Sequence, residues 1–315
     1  MAAIGRLRET TPELEARELL WWQTFAELEN RFAWVQTPAL QRVLRGHYVR
    51  RIVSAAGAGG SILDLGCGAG WLSLVLAAAG AVKVTGVDFS SAQIDIANKN
   101  KFALGVGDEV AFKCLDATAP DRQSDQYDCV VIHAFLHHLS TSEITKSLSQ
   151  VPKLLKPHGK LVVLEPVFSG SGAQSAAHSK WLYRLQRLRS LANTGIRFGI
   201  RKVSEEESRW REAFSSRNWG KPPFGPSPKE TPFAPGELES YMSDSFVVED
   251  RRAVMALSHL ACQEWLLRGV SHPISTGLLL PIVSRLAALG DRKLLEAPTP
   301  PPDLWIFTLF TCRLH

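Results

Sequence analysis

Ser61-Ile62-Leu63-Asp64-Leu65-Gly66-Cys67-Gly68-Ala69-Gly70-Trp71 decides the fold. A short apolar run enters a tight glycine turn, and Trp71 to Ala79 then reads as a helix. Ile62 to Leu65 forms a strand that brings backbone to the carboxyl edge of a sheet. Gly66, Gly68 and Gly70 let the turn adopt positive φ and approach a ligand closely. The amides at the start of the next helix then face that ligand. Dinucleotide sites use G-x-G-x-x-G, whose third glycine admits a pyrophosphate against the helix. Here the spacing is G-x-G-x-G with bulky Trp71 behind it, which disfavours a pyrophosphate.

Asp64 sits on the strand, two positions before the first glycine. There it can accept from a turn amide or hold the amine of a cationic ligand. A second strand, Ala81 to Val87, ends at Asp88, with Phe89 beside it, at roughly the 20-residue spacing from which an acidic side chain grips ribose hydroxyls. On these residues the sequence resembles the class I S-adenosylmethionine-dependent methyltransferases. Leu63 to Gly70 matches their first motif and Val87-Asp88 their second, and the resemblance covers Ser61 to Glu165.

The resemblance implies S-adenosyl-L-methionine as cofactor, bound by Asp64, Gly66, Cys67, Gly68, Gly70, Asp88, Phe89, Asp116, Ala117 and His133, with no metal. In that family an acidic residue followed by a small one, here Asp116-Ala117 after a third strand Val110 to Leu115, accepts the adenine amino group. A turn or capping aspartate is the competing reading. A fourth strand, Tyr127 to Ile132, delivers His133-Ala134-Phe135-Leu136-His137-His138-Leu139 to the same sheet edge. The spacing H-x-x-x-H-H has no neighbouring cysteine or carboxylate ligands, which disfavours zinc. The resemblance instead puts a His-His-Leu segment beneath the methyl-donating sulfonium. His133, His137, His138 and Glu165, the last following a fifth strand Leu161 to Leu164, are therefore the candidates for a general base acting on a hydroxyl acceptor. Of these, His137 and His138 read as the base or orienting pair, and His133 as the cofactor-side wall.

Strands and helices alternate from Ile62 to Glu165, as a parallel, doubly wound α/β sheet requires. The resembled fold has seven strands, mostly parallel, the seventh antiparallel between the fifth and sixth. The expected organisation is an N-terminal helical lid (1–58), a cofactor-binding Rossmann-like core (59–165), a helical and proline-rich cap insertion (166–235) and a C-terminal part of the core with a helical insertion (236–315). A helix opens at Thr10-Thr11-Pro12-Glu13. It carries Trp21, Phe25, Leu28 and Phe32 on one face, either packed on the core or covering the pocket, with Trp22 and Trp34 off that face. A second helix starts after Thr37-Pro38 and runs past Ile52, with Tyr48 and Arg51 as candidates for touching the pocket. In the cap, Lys180 to Lys202 reads as a basic amphipathic helix. Its charges suit a solvated face, an anionic substrate, peripheral contact with a membrane or nucleic acid. Lys221 to Pro228 reads as an extended proline-rich link, and helices over Ser258–Val270 and Ser275–Leu289 precede the last strand, Leu304 to Cys312.

Across 315 residues, 45% hydrophobic and 21% charged residues with a net charge of +5 describe a chain able to bury a large core. Five cysteines without a C-x-x-C pair point to neither a disulfide framework nor a zinc site. No signal-peptide core stands at the N-terminus and no apolar run reaches the ~18 residues of a membrane span, so a cytoplasmic protein is expected. No Asn-Pro-Pro-Tyr type segment follows the fourth strand and no Pro-Cys pair occurs in the sequence, which argues against methylation of nucleic acid. The expected reaction is O- or N-methylation of a natural-product, quinone or lipid-like small molecule by in-line displacement, with the oligomeric state open. The alternatives are an NAD(P)-dependent oxidoreductase, against which the glycine spacing argues, and a non-catalytic cofactor-binding partner protein.

Overall fold

Residues 9–31, 48–81, 83–118, 126–167, 227–255, 282, 285–286, 289–291 and 306–315 are described in the computed structural model. The basic stretch Lys180 to Lys202, the aromatic residues Phe32 and Trp34, the predicted helix Ser258–Val270 and most of Ser275–Leu289 lie outside them.

Helix α1 (Pro12–Arg31) begins where the sequence places it. Thr11 Oγ1 accepts from the Leu14 amide at 3.3 Å, with Pro12 in the first turn and Glu13 and Glu15 at the positive end of the helix dipole. Helix α2 (Arg50–Ala56) leads into β1 (Ser61–Leu65). After it come α3 (Trp71–Ala78), β2 (Lys83–Asp88), α4 (Ser91–Ala103), β3 (Val110–Cys114) and β4 (Tyr127–His133). Ser90 caps α4 by accepting from the Gln93 amide. A short 3-10 turn (Leu136–His138) follows β4. Next is α5 (Thr141–Leu154), whose start is a full capping box between Ser140 and Glu143. Strand β5 spans Leu155–Val167, longer than the four residues expected. Lys156 to Gly159 joins the strand, with an irregularity in its pairing between Tyr127 and Cys129. Helix α6 (Glu237–Met242) leads to the edge strand β6 (Phe246–Met255), and β7 (Ile306–Leu314) closes the sheet.

The sheet has seven strands in the order β3-β2-β1-β4-β5-β7-β6. The first five run parallel, and β7 is antiparallel to both β5 and β6, as expected. Side-chain alternation divides the core between the two faces. Cys129, Val131, Val162 and Leu164 join Ile62, Leu72 and Val84 on one side, while Val130, Ile132, Leu161 and Val163 join Leu63 and Leu65 on the other. Both faces are thus covered by helices, which is why the central strands read as continuous apolar runs.

Register sets where the site forms. Leu65 lies opposite Val87 on one side and Ile132 on the other, so Gly66, Asp88 and His133 leave the sheet at the same level. Strand order reverses between β1 and β4, and loops that leave the carboxyl ends there diverge to make a crevice. On its far side, Gly70 caps α3 in the left-handed conformation at φ 79°. A Cβ built there would meet the Phe112 ring at 2.5 Å and Ala97 at 2.8 Å. Gly70→Ala combines backbone strain with overpacking and is expected to lower stability by about 1–3 kcal/mol. A lower denaturant midpoint at unchanged m-value is the measurement that checks it.

Candidate active site

The crevice holds a cavity of about 440 Å³, in the range of roughly 300–1,000 Å³ typical of small-molecule sites. Asp64, Gly66, Cys67, Gly68, Asp88, Phe89, Asp116, Ala117, His133 and His138 all line it. Ten of the residues singled out in the sequence therefore meet in one place. Gly70, His137 and Glu165 do not reach its wall. Gly70 serves the packing of α3 against α4 and β3, and the other two lie under the turn that follows β4.

The glycine turn is held from β2. Val87 O accepts from the Gly66 and Cys67 amides at 2.9 and 3.0 Å, and Asp88 Oδ2 accepts from the Gly68 amide at 3.0 Å. The other oxygen of Asp88 accepts from the Ser90 amide at 2.9 Å, so one carboxylate ties the turn to the start of α4. Gly66 sits at φ 74°, and a Cβ there would strike the Phe135 side chain at 2.4 Å. The loops after β1 and β4 touch at that point, and only a glycine lets them do so. Asp64 accepts from Ser73 Oγ at 2.6 Å. Asp116 accepts from the amide and hydroxyl of Thr118, both at 2.8 Å, in a local turn that leaves the residue in the cavity wall. His133 lies in an aromatic box, edge-on to Trp71 with centroids 5.0 Å apart and stacked on Tyr48 at 5.7 Å.

Burial pushes the Asp64 carboxyl up to about 7, with the nearby charge of Asp88 adding to the effect and Ser73 opposing it. Burial likewise pushes Asp88 up to about 6, against the amides of Ser90, Gly68 and Phe89. Neither carboxylate pairs with a cation among the described residues. Two desolvated acids facing one cavity without a counter-charge fit a ligand that brings an amine and hydroxyl donors.

The turn after β4 is organised by Glu165. This fully buried carboxylate accepts from the amides of Phe135 and Leu136 at 2.8 and 2.7 Å, and its second oxygen lies 2.7 Å from His137 Nδ1. Glu165, a general-base candidate in the sequence, holds the loop from behind with His137 as its partner. His138, the next residue, is the one presented to the cavity.

Sequence reasoning offered α1 as a lid but missed the side chains that form the opposite wall. Glu15, Glu18 and Trp22 of α1, Glu143 and Lys146 of α5, and Lys229 also line the cavity. The expected aromatic face of α1 included Trp21 and left out Trp22, yet Trp22 is the ring in the wall, edge-on to His138 at 5.0 Å. Buried Lys229 donates to Glu143 Oε1 at 2.8 Å and lies 3.8 Å from Glu15. Despite its burial, which acts the other way, Glu143 is held below the usual carboxylate value by Lys229 and Ser140. The Ser140-x-x-Glu143 spacing was a readable signal; nothing near Lys229 was. Of the two pocket candidates on α2 and its approach, Tyr48 packs on His133. Arg51 instead pairs with Asp250 at 3.6 Å on the half-exposed outer side.

A seven-stranded sheet of this order with its crevice at the strand reversal defines the class I methyltransferase fold. Residues 62–159 match the family model described as a methyltransferase domain. Over about a third of its length the chain is 32% identical to the 27-O-demethylrifamycin SV methyltransferase of Amycolatopsis mediterranei, covering 34% of this chain and 38% of that protein. It is 36% identical to the demethylmenaquinone methyltransferase of Clavibacter sepedonicus, covering 34% and 42%. The chain thus spans about two-fifths of the length of these curated relatives. Two solved structures share the fold over nearly the whole chain. The [4+2]-cyclase SpnF has a TM-score of 0.55 at 17% identity, covering 99% of this chain and 98% of that one. The cyclopropane synthase MmaA2 from Mycobacterium tuberculosis has a TM-score of 0.55 at 14% identity, covering 98% and 100%.

The buried acids carry a pH signature. Native Asp64 and Asp88 keep their protons where an unfolded aspartate, at 3.8, has lost them, so stability falls as pH rises from about 4 to about 7. Asp64→Asn removes the larger share. At pH 8 the variant is expected to be more stable by on the order of 2–4 kcal/mol, a gain that vanishes by pH 4. Denaturant titrations at the two pH values check both the sign and the window.

Proposed function

We propose that the protein transfers a methyl group from S-adenosylmethionine to an oxygen or nitrogen of a small-molecule acceptor. The observation that carries the reading is the pair of buried carboxylates without a counter-cation, Asp64 and Asp88, beside a glycine turn in a methyltransferase domain. In this reading Asp64 holds the ligand's amine, and Gly66, Cys67 and Gly68 bound its amino-acid part. Asp88 and Phe89 meet the ribose, and Asp116 with Ala117 the adenine. Gly70 shapes the helix behind the turn. Bound there, S-adenosylmethionine would supply an electrophilic methyl group on a sulfonium, open to in-line displacement.

The chain's own share is alignment, exclusion of water and the handling of one proton. His133 and its aromatic neighbours wall the donor side. His138 faces the acceptor side, and with its Nδ1 2.7 Å from Ser227 Oγ, a proton leaving the acceptor reaches the ring at Nε2. His137 and Glu165 keep the turn in place rather than contact the acceptor. The acceptor side is built by Glu15, Glu18, Trp22 and Lys229, which lie outside the matched domain. This supports the assignment of the N-terminal lid and the end of the 166–235 insertion to acceptor binding. The relatives named for rifamycin and demethylmenaquinone methylation make a polyketide- or quinone-like ring with a free hydroxyl the first acceptor class to screen.

Two measurements test this. Calorimetry with S-adenosylhomocysteine is expected to show binding that Asp88→Ala weakens by about 2–4 kcal/mol, from the loss of two charge-supported hydrogen bonds partly replaced by water. Unchanged affinity in the folded variant would remove Asp88 from the site. His138→Gln is expected to lower turnover about 10²- to 10⁴-fold while leaving S-adenosylhomocysteine affinity unchanged. Turnover within threefold of the parent would leave alignment alone as the source of catalysis.

A further inference from the structure

Three distant parts of the chain meet at His138. Its Nδ1 is 2.7 Å from Ser227 Oγ and 3.6 Å from Glu18 Oε1. Both Glu18 and Ser227 are buried. Glu18 itself accepts from two obligate donors. Trp22 Nε1 donates to Oε1 at 2.9 Å and the Lys229 amide donates to Oε2 at 3.0 Å. Burial raises the Glu18 pKa, against Trp22, Ser227 and Lys229, and once ionised the carboxylate can only accept. A carboxylate oxygen 3.6 Å from Nδ1 and a hydroxyl oxygen 2.7 Å from it together favour the ring proton on Nδ1, and the neutral ring then carries its lone pair on Nε2.

The segment bearing Ser227 is fixed to the same place by independent bonds. The Thr231 amide donates to His137 O at 2.7 Å, the Phe233 amide to Pro166 O at 3.1 Å, and Phe233 is fully buried. The hydroxyl therefore comes to His138 on a strap anchored to β5, and the carboxylate comes on α1.

We propose that Ser227 and Glu18 are positioning residues that hold His138 in its Nδ1-protonated tautomer, so that Nε2 is the atom that receives the acceptor's proton. This rests on the reading of His138 as the base. In the step it serves, the acceptor's O–H or N–H bond breaks and its electron pair forms the new bond to the methyl group. The electrons of the S–CH₃ bond leave with the thioether, and the proton passes to Nε2. The imidazolium so formed keeps its Nδ1–H on Ser227, with the Glu18 carboxylate behind it as counter-charge.

Two-bond ¹H–¹⁵N correlation spectra of protein labelled with ¹⁵N-histidine separate the two neutral tautomers, and loss of a signal in His138→Gln assigns it among the nine histidines. At pH 8 the wild type and Ser227→Thr are expected to show the Nδ1–H tautomer at His138. Ser227→Ala and Glu18→Gln are each expected to lose more than half of that population to the Nε2–H form. A wild-type Nε2–H tautomer, or retention of the wild-type pattern in either of these two variants, overturns the proposal. If Glu18→Gln does not fold, the Ser227→Ala and Ser227→Thr pair decides it. Titration of the same wild-type sample with S-adenosylhomocysteine keeps the two readings apart. Absence of binding sinks the methyl-transfer reading, whereas the tautomer spectra judge the relay without reference to any ligand.

Discussion

Everything in this molecule follows from the reversal of strand order between β1 and β4. The two strands are paired in register up to Leu65 and Ile132, so their outgoing loops start level and are driven apart by connections that run to opposite sides of the sheet. A gap at that edge is a geometric necessity. What the sequence adds is the means of keeping it open and polar. Gly66 allows the two loops to touch at Phe135 without a clash, and Asp88 braces the glycine turn against α4.

Buried carboxylates do the structural work on both sides of the gap, by two different means. Asp88 and Glu165 each accept hydrogen bonds from backbone amides of a loop that has no regular partner, which converts desolvated charge into fixed loop geometry. Asp64 is different, since its one hydrogen bond to Ser73 leaves much of the desolvation cost unanswered, and its raised pKa expresses that deficit. That distinction separates Glu165 from Asp64 more clearly than their shared position at strand ends does.

The opposite wall shows how a fold common to many chemistries acquires its own. SpnF and MmaA2 share this architecture at low identity, so the sheet itself decides little about the reaction. Here α1 and the strap at 227–233 bring Glu18, Trp22, Ser227 and Lys229 to His138 and Glu143. None of these four belongs to the segment that matches the methyltransferase domain.

The sequence by itself determined the sheet, the crevice and the glycine-turn side of the cavity. Those features rest on local signals: apolar strand runs, a glycine turn and acidic residues at strand ends, all within one stretch of chain whose register is dictated by burial on both faces. It also showed where α1 begins, because a cap is read by the residues next to it. Tertiary structure alone decided which histidine faces the cavity. His137 and His138 are adjacent and chemically alike, and only the bonds from Glu165 behind the turn and from Ser227 and Glu18 in front of it tell them apart. Those partners lie 28, 89 and over a hundred residues away, from His137 in the first case and from His138 in the others. No periodicity or spacing rule spans such distances, because contacts of that range are set by how the elements pack and not by the pattern within any one of them.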